Sequence, residues 1–404
     1  MTGAGRTRPT LKSLRALPPG IWALGFVSLF MDFSSELIHG LLPVYLVTGL
    51  GASMLAVGFI EGAAEATASI VKLFSGVASD WLRRRKLLAI LGYGLAALTK
   101  PIFPLAPSVE WIAAARLIDR VGKGIRGAPR DALVADISPA HLRGASFGLR
   151  QALDTVGAFI GPLGAIGLMW LFAGNIRAVF WFAAIPAAFS VALLIWGVSE
   201  PAAAPAANKG FPLRASELRR LGGVYWLVIL VTAAFSLARF SEAFLILRAQ
   251  GAGLAILLTP IVLVIMNIVY AIAAYPAGAL SDSGGRVRVL MIGVALLLCA
   301  DVVLAWAPGG LAGVLAGVAL WGLHLGFTQG ALSTLVADTA PADLRGTAFG
   351  VFNLVSGLVL LAASVIAGAL WSVAGPQETF IAGAGFAGLA LVALLLARRR
   401  IAHP

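Results

Sequence analysis

One pattern of residues occurs twice in the chain, 202 positions apart, and it restricts the fold to a duplicated one. Residues 133–148 read LVADISPAHLRGASFG and residues 335–350 read LVADTAPADLRGTAFG, with 11 of 16 positions identical. The same offset aligns GVASD at 76–80 with GALSD at 278–282. Because both segments share one offset, equal to half of the 404 residues, we interpret the chain as two copies of one structural unit.

The composition places both copies in a membrane. Hydrophobic residues make up 60% of the chain, charged residues only 12%, and the mean hydropathy is +0.94. A soluble domain carries about twice that share of charge. Twelve apolar stretches, six in each half, reach the roughly 20 residues that a transmembrane helix needs. The sequence therefore predicts an all-α polytopic membrane protein with twelve transmembrane helices: a six-helix bundle at 1–198, a cytoplasmic linker at 199–221 and a pseudo-symmetric bundle at 222–404. Repeats of this kind are a transporter architecture, with the substrate site near the bilayer midplane.

The formal net charge of +12 is explained by membrane topology. Many of the basic residues lie before the first apolar stretch and in clusters near 83–86, 209–220, 286–288 and 398–400, between or after the apolar stretches. If the spans alternate from a cytoplasmic N-terminus, all of these clusters fall on one side, as the positive-inside rule describes. We therefore expect a multi-pass protein of the inner or plasma membrane with both termini in the cytoplasm. Nucleic acid is not an expected partner.

The fourth apolar stretch carries an unusual series of basic residues. They follow one another at steps of 4, 3, 3 and 4, which places five cations on one face of one helix: Arg116, Arg120, Lys123, Arg126 and Arg130. Lipid does not solvate such a face, because each buried charge costs several kcal/mol there. The face must contact water, acidic partners or an anionic substrate.

Acidic residues in neighbouring spans supply candidate partners and candidate proton carriers. Asp32 and Glu36 are spaced i, i+4 in the first span, and Asp154 lies in the fifth beside Arg150. A carboxylate away from water favours its protonated form, whereas an approaching arginine favours the charged form. We therefore predict a proton-coupling group of Asp32, Glu36, Arg116 and Asp154. For Glu61, Glu65 and Lys72, a purely structural salt-bridge network is an equally good interpretation.

Polar residues of both halves are candidates for a substrate cavity near the midplane. The predicted substrate-binding residues are Arg120, Lys123, Arg150, Arg239, Asn267, Tyr270 and His324. The chain has one cysteine, and His324 has no second ligand at metal-binding spacing, so no metal site and no cofactor are expected. A phosphate-binding glycine loop and a nucleophile motif are both missing, so the sequence does not indicate an enzyme.

The loop after the second span reads GVASDWLRRRK and resembles the signature G-x-x-x-D-R/K-x-G-R-K/R of the major facilitator superfamily. Its counterpart in the second half reads GALSDSGGRVR. In the family this loop closes the cytoplasmic side as a latch. The resemblance thus implies gating roles for the matching residues, which are Gly76, Asp80, Arg84, Arg85, Asp282 and Arg286.

Two further segments resemble family patterns. The fifth span contains GAFIGPLGA, similar to the G-x-x-x-G-P-x-G-G motif of the antiporter and exporter branches, with matches at Gly157, Gly161, Pro162 and Gly164. Small residues at these positions form one smooth helix face, and the resemblance implies a gating role for them. The basic fourth span matches R-x-x-Q-G-x-G-x-G at Arg116, Gly122 and Gly124 and resembles an uncharacterised prokaryotic subgroup.

These features together predict a secondary active transporter that works by alternating access. We favour a proton-coupled antiporter that exports a small amphiphilic or anionic compound. The alternative is a proton symporter that imports a small organic anion, which the basic face fits equally well. The expected partners are the substrate, protons and the lipid bilayer. One chain holds both halves of the pathway and is expected to act as a monomer. A membrane sensor that transports nothing is a different class of protein. We would expect it to have long loops or an added soluble domain, and the sequence indicates neither.

Overall fold

The computed structural model describes residues 16–82, 84–200, 215–341 and 344–402. Across these ranges the regular structure is helical, and none of them contains a β-strand. The basic segment before residue 16 and residues 201–214 of the predicted linker lie outside the described part. We number the twelve long helices α1 to α12 in chain order.

Local sequence signals define the helices of the first half. Proline occupies the first turn of α1, where its missing N–H would be unpaired in any case. Asn175 caps α6, because its side chain accepts a hydrogen bond from Ala178 N at 3.2 Å. The helices are α1 Pro19–His39, α2 Met54–Leu82, α3 Arg85–Thr99, α4 Val109–Ile137, α5 Arg143–Leu171 and α6 Ile176–Gly197.

The second half repeats this order after a short helix at Ala215–Arg220. Its seventh helix is interrupted, so we name its two parts separately: α7a Gly223–Ala238, α7b Ala243–Gly251, α8 Ile261–Gly284, α9 Arg286–Trp306, α10 Leu311–Thr339, α11 Arg345–Ala374 and α12 Pro376–Ala402. The end of α4 and the start of α5 recur at the end of α10 and the start of α11, shifted by the 202 residues of the sequence repeat.

Eleven of these helical segments are long and apolar enough to cross a membrane, by length and composition. The twelfth, α4, has 29 residues but carries too much charge to meet the same criterion. Three of its arginines, Arg116, Arg120 and Arg126, are nevertheless buried inside the protein. Since these three arginines are turned away from the outer surface, α4 is compatible with a place among the membrane helices.

The two halves pack their helices in the same pairs. In the first half α1 packs on α5 and α6, while α4 packs on α2 and α3. In the second half α7 packs on α11 and α12, while α10 packs on α8 and α9. The halves meet through α2 with α11 and through α5 with α8, two interfaces related by the same pseudo-symmetry. The fold is therefore two similar six-helix bundles that face one another.

Contacts between the halves are close at the end opposite the basic loops. There a Cβ atom on Gly40 would lie 2.9 Å from Pro260, and the short helix Leu42–Val44 contacts α7b. Along α2 and α11, Gly58 packs directly on the backbone of Ser364. Small residues permit this approach of two helices. The central cavity extends from these contacts towards the end that carries the basic loops, which we call the basic end.

Candidate functional site

The candidate site is built around α4, whose glycines fix the direction of its charged face. A Cβ atom on Gly122 would lie 2.6 Å from the carbonyl oxygen of Gly92 on α3, and one on Gly124 would lie 2.6 Å from Val71 on α2. These close approaches hold α4 between α2 and α3. Four of the five cations on its charged face, Arg120, Lys123, Arg126 and Arg130, line a cavity between the halves.

The first charge cluster lies towards the end of the molecule opposite the basic end. Nη2 of Arg116 lies 2.7 Å from Oε2 of Glu61, and both side chains are only 2% exposed. His39 Nε2 lies 3.8 Å from the same glutamate oxygen, and His39 Nδ1 lies 3.4 Å from Oε2 of Glu36. The four residues form a continuous chain of polar contacts from α1 through α2 to α4. Two of them, Glu36 and Arg116, belong to the predicted proton-coupling group.

A second buried pair joins α3 and α4. Nζ of Lys100 lies 2.8 Å from Oδ1 of Asp119 and donates a hydrogen bond to Ser35 Oγ at 3.1 Å. Both charged side chains are almost completely buried. An isolated buried charge is strongly disfavoured, so each member requires the other. Sequence reasoning missed this pair; the only available signal is a lone lysine where an apolar stretch ends before Pro101.

The middle of α4 pairs with carboxylates of α1 and α2. Arg120 Nη1 lies 3.4 Å from Oε1 of Glu65, and Arg126 Nη2 lies 3.5 Å from Oδ1 of Asp32. The guanidinium of Arg126 also stacks over the ring of Tyr93, with 4.7 Å to the centroid. The arginine next to Asp32 is therefore Arg126. The predicted influence of Arg116 on this carboxylate stays a prediction.

The last charge cluster lies towards the basic end. Asp154 sits between two arginines, with Arg130 Nη1 at 3.7 Å and Arg150 Nη1 at 3.4 Å. Arg130 also contacts Asp131 at 3.1 Å and donates to Ser28 Oγ at 3.4 Å. Arg150 donates to Gln151 at 2.6 Å. Asp154 thus links α4 and α5 through two shared ion pairs, each with a second partner available to the arginine.

Two adjoining cavities open between the halves along these clusters. The smaller, about 280 Å³, contains residues from both halves; the larger, about 400 Å³, extends towards the basic end along Asp32, Lys72 and Asp154. The two share Glu36, Glu65, Arg120, Lys123 and Ala158 on their walls. They therefore form one charged passage.

Most charges on this passage are paired, and the unpaired ones are mainly cations. Among the described residues, no carboxylate oxygen lies within 4.0 Å of the cationic nitrogens of Lys72, Lys123 or Arg239. Lys72 and Lys123 are exposed to the passage rather than buried in a contact. The one wall carboxylate without a Lys, Arg or His nitrogen at that distance in the same described ranges is Glu242.

The second half contributes to the passage through the break in α7. Helical geometry stops at Arg239, whose backbone has φ −109 and ψ 78, and resumes at Ala243. The break is held from α11, because Ser241 N donates to Ser364 Oγ at 3.1 Å. Arg239, Phe240 and Glu242 therefore project into the smaller cavity, with Asn267 of α8. Interrupted helices are a common way to form ligand sites in membrane transporters.

Three predicted substrate-binding residues lie away from these two cavities. Tyr270 lines a separate cavity of about 120 Å³ and donates to Gln329 Oε1 at 3.3 Å. His324 is fully buried, with its ring packed against Trp321 and Phe235. Arg150 is held in the Asp154 cluster. The other four, Arg120, Lys123, Arg239 and Asn267, line the smaller cavity together.

Among the described residues, each half contains an ion pair formed by one of the loop residues predicted to gate the transporter. Arg85 pairs with Asp136 at the end of α4, and Arg286 pairs with Asp338 at the end of α10. The two aspartates belong to the repeated LVAD segments, 202 residues apart, and sequence reasoning had not assigned them a partner. The side chains of Asp80 and Asp282 lie outside the described residues.

The remaining predicted gating residues lie near the end of α2, just before α3, and along α5. Arg84 is exposed, and a Cβ atom on Gly76 would lie 3.6 Å from Ala128 of α4. On α5, Gly157 packs on the backbone of Leu29 and Gly161 packs on Glu36. A Cβ atom on Gly164 would lie 2.8 Å from the ring of Phe33, and the intervening Pro162 is buried. This smooth face seats α1, which carries Asp32 and Glu36.

Two pseudo-symmetric helical bundles around a charged central passage define a membrane transporter. A model of the Major Facilitator Superfamily matches residues 24–364. An uncharacterised MFS-type transporter of Methanocaldococcus jannaschii is 33% identical over 389 residues, which cover 94% of this chain and 95% of that protein. The chain belongs to the Major Facilitator Superfamily.

Two further proteins extend the comparison. The multidrug resistance protein MdtH of Photorhabdus laumondii is 29% identical over 164 residues, which cover 40% of this chain and 39% of that protein. A crystal structure of a single-residue mutant of the nucleoside transporter NupG superposes with a TM-score of 0.80 at 14% identity and covers 93% of this chain and 99% of that one. At this identity, the NupG likeness concerns the fold alone.

Proposed function

We propose that this transporter moves a small polar anion across the cell membrane and couples that movement to protons. The observation that carries the proposal is the set of unpaired cations on the passage, Lys72, Lys123 and Arg239. A cation that faces a cavity without an acidic partner is free to bind a ligand and attracts anions into the cavity. The polar lining favours the anionic members of the predicted substrate class over the amphiphilic ones.

The proton carriers in this proposal are Asp32 and Glu36, with Asp154 as a neighbour. Asp32 faces the larger cavity and is paired with Arg126 at 3.5 Å, which is longer than an ordinary N–H···O hydrogen bond. A proton on Asp32 removes the attraction and leaves the guanidinium of Arg126 free. Loss of the proton restores the pair. Asp32 thus exchanges Arg126 for a proton, and Arg126 exchanges Asp32 for an anion in the cavity.

This exchange of partners favours symport. When a proton neutralises Asp32, Arg126 becomes available to an anion, so protonation strengthens anion binding. Linkage is reciprocal, and a bound anion strengthens protonation of Asp32 to the same extent. Since the proton and the anion promote each other's binding, the form that carries both is stabilised, which is the requirement for movement in the same direction.

Export by proton antiport is the second candidate. It is supported by the close packing of the glycine face of α5 on α1, at Gly157, Gly161 and Gly164, which matches the motif of antiporter branches. The partial similarity to MdtH, whose name denotes multidrug resistance, points in the same direction. In this mechanism the transporter releases its substrate and then returns with a proton bound to Asp32 in place of the substrate.

We further propose the orientation that the basic loops predict. Arg84, Arg85 and Arg286 would face the cytoplasm, as would both termini, in the inner or plasma membrane. The passage then opens towards the cytoplasm, and the contact of Gly40 with Pro260 closes the outer side. The functional unit is one chain, with bundles at 1–198 and 222–404 joined by the linker at 199–221.

The test is transport by the purified chain in liposomes with an acidic exterior and an alkaline interior. A panel of radiolabelled carboxylates, sulfonates and phosphate esters is supplied outside in one series and preloaded inside in the other. Symport predicts that one of these anions accumulates inside the liposomes to a higher concentration than it reaches without the proton gradient. Antiport predicts that a preloaded anion leaves the liposomes faster under this gradient than in a control in which a proton ionophore has collapsed the gradient.

Loss of Lys123 separates anion recognition from a general defect. Lys123→Gln is expected to weaken transport of the anion, whereas Lys123→Arg retains the charge and is expected to retain most of it. Transport of neutral or cationic compounds by the wild-type chain, with no anion of the panel moved under either gradient, contradicts the proposal.

A further inference from the structure

The second half contains a carboxylic acid that takes no part in the charge clusters. Asp301 of α9 is 0% exposed, and neither of its carboxyl oxygens has a hydrogen-bond partner among the described residues. A Cβ atom on Gly383 of α12 would lie 2.7 Å from Oδ2 of Asp301. The glycine therefore leaves the space that the carboxyl group occupies.

An ionised carboxylate without partners is too costly at this position. Burial of a bare charge in an apolar surrounding costs many kcal/mol, so the group takes up a proton instead. Asp301 is therefore a neutral acid in this conformation. A neutral acid that only filled space would do so no better than asparagine or leucine. An ionisable residue inside a membrane protein is a functional candidate for this reason.

Asp301 lies behind the wall of the passage, and Phe240 separates the two. The ring of Phe240 lies 3.1 Å from the position of a Cβ atom on Gly383, the same position that Asp301 approaches. Phe240 also lines the smaller cavity beside Arg239 and Glu242. It belongs to the break in α7, where the backbone is not held by helical hydrogen bonds. Movement of this one ring would connect the acid to the cavity.

The charged and titratable groups near α9 are few. His324 of α10 packs on Trp321, whose ring lies 5.4 Å from that of Phe240. Arg248 of α7b is engaged by the carbonyls of Leu304 and Ala305, at 2.9 and 3.3 Å. Tyr270 of α8 is directed to Gln329, and Tyr275 is exposed. The described charges of α12 lie near its two ends: Glu378, Arg398, Arg399 and Arg400.

We propose that Asp301 is a second proton-binding site, which exchanges its proton with the passage when Phe240 moves at the α7 break. The O–H bond of Asp301 breaks, and the proton passes to the carboxylate of Glu242, directly or through cavity water. Glu242 suits this role because no described cation lies within 4.0 Å of it.

Labelling with N,N′-dicyclohexylcarbodiimide tests the proposal on the full chain in liposomes. The reagent enters apolar sites and requires a protonated carboxyl group. The acid proton transfers to one carbodiimide nitrogen while the carboxyl oxygen bonds to the central carbon, and the adduct rearranges to a stable N-acylurea. Mass spectrometry of peptides then gives the extent at each residue. Asp119 is the matched control, because it is equally buried but paired with Lys100.

We expect Asp301 to be labelled at neutral pH and Asp119 to remain unlabelled. Labelling of Asp301 should fall as the pH is raised, and Phe240→Ala should shift that fall and speed labelling several-fold. Equal labelling of Asp301 and Asp119 overturns the assignment of a neutral acid. Labelling that is the same at every pH in both the wild-type chain and Phe240→Ala overturns proton exchange.

A transport measurement supplies the functional readout. Asp301→Asn is expected to change the pH profile of transport, whereas Cys299→Ser, on the exposed side of the same helix, is expected to leave it unchanged. An unaltered profile in Asp301→Asn contradicts the role of Asp301 in coupling. The labelling arm needs no transported substrate, so its result is independent of whether the proposed anion transport is correct.

Discussion

Replacing Arg116 by methionine is expected to destabilise the fold by about 3–5 kcal/mol, because the Glu61 carboxylate then remains buried without its cation. The two side chains are each 2% exposed, and their charged atoms are 2.7 Å apart. Oε1 of Glu61 already lacks a hydrogen-bond partner among the described residues. A loss of that size lowers the ratio of folded to unfolded chains by about a hundredfold to several thousandfold.

Thermal unfolding of the purified chain in detergent, followed by tryptophan fluorescence, measures the effect. The comparison is between the wild type, Arg116→Met and the double variant Arg116→Met with Glu61→Leu. The double variant should regain most of the lost stability, because an apolar pair of similar volume replaces a buried ion pair at little cost. Arg84→Met is the control, since Arg84 is exposed and a surface change of this kind is usually within about 0.5 kcal/mol.

The stability of Arg116→Met is also expected to depend on pH. Protonation of Glu61 removes the stranded charge, so the deficit of Arg116→Met should shrink as the pH is lowered. His39, 3.8 Å from Glu61, offsets part of the loss when it is protonated. Unfolding of Arg116→Met at the wild-type temperature would refute the reasoning. A double variant as unstable as the single one would refute it equally.

Three further predictions concern transport. Lys123→Gln should raise the KM for the anion about tenfold or more, because it removes a charge-assisted hydrogen bond worth about 1.5–3 kcal/mol. Lys123→Arg keeps the charge and should not raise the KM. An equal rise in both variants would indicate a structural effect. Asp32→Asn should abolish proton-driven accumulation in liposomes while substrate exchange continues, and retained accumulation would exclude Asp32 as the proton carrier. Gly161→Val should block transport because its side chain meets Glu36 on α1, whereas Gly167→Ala on the same helix meets no atom within 4 Å and should transport normally; equal activity of the two would contradict the packing of α5 on α1.

Several features of the fold could be read directly from the sequence because they depend on local pattern. The repeat predicted two equivalent halves, and the structure places helix boundaries at the same offset, as at Ile137 and Thr339. The step of 4, 3, 3 and 4 along α4 predicted one charged face that avoids lipid, and the structure turns that face inward. The major facilitator resemblance and the twelve-helix fold class were confirmed.

Other features depend on contacts between distant residues and left little trace in the pattern. The break in α7 falls in a run without proline or glycine, ARFSEA, and it is held by Ser364, 123 residues away. Lys100 directly follows α3 and Asp119 lies on α4, so the pattern of neither helix alone indicates the ion pair between them. His324 was predicted to face a cavity, but the apolar residues of α10 are spread around the helix rather than gathered on one side, so its pattern could not show which side is buried.

The comparison of equivalent positions shows how one scaffold carries unequal chemistry. Arg120 and Lys123 of α4 correspond to Gly322 and Leu325 of α10, which pack in the interior. The second half instead presents Arg239, from the break in a different helix. An anion that binds Lys123 and Arg239 at once connects the two bundles, so it stabilises the arrangement in which these cations are close. A ligand shifts a conformational equilibrium only through such differential binding. Because the two cations belong to different halves, we expect rocking of the bundles to change their separation, so that an anion bound to both would favour the conformation that encloses it.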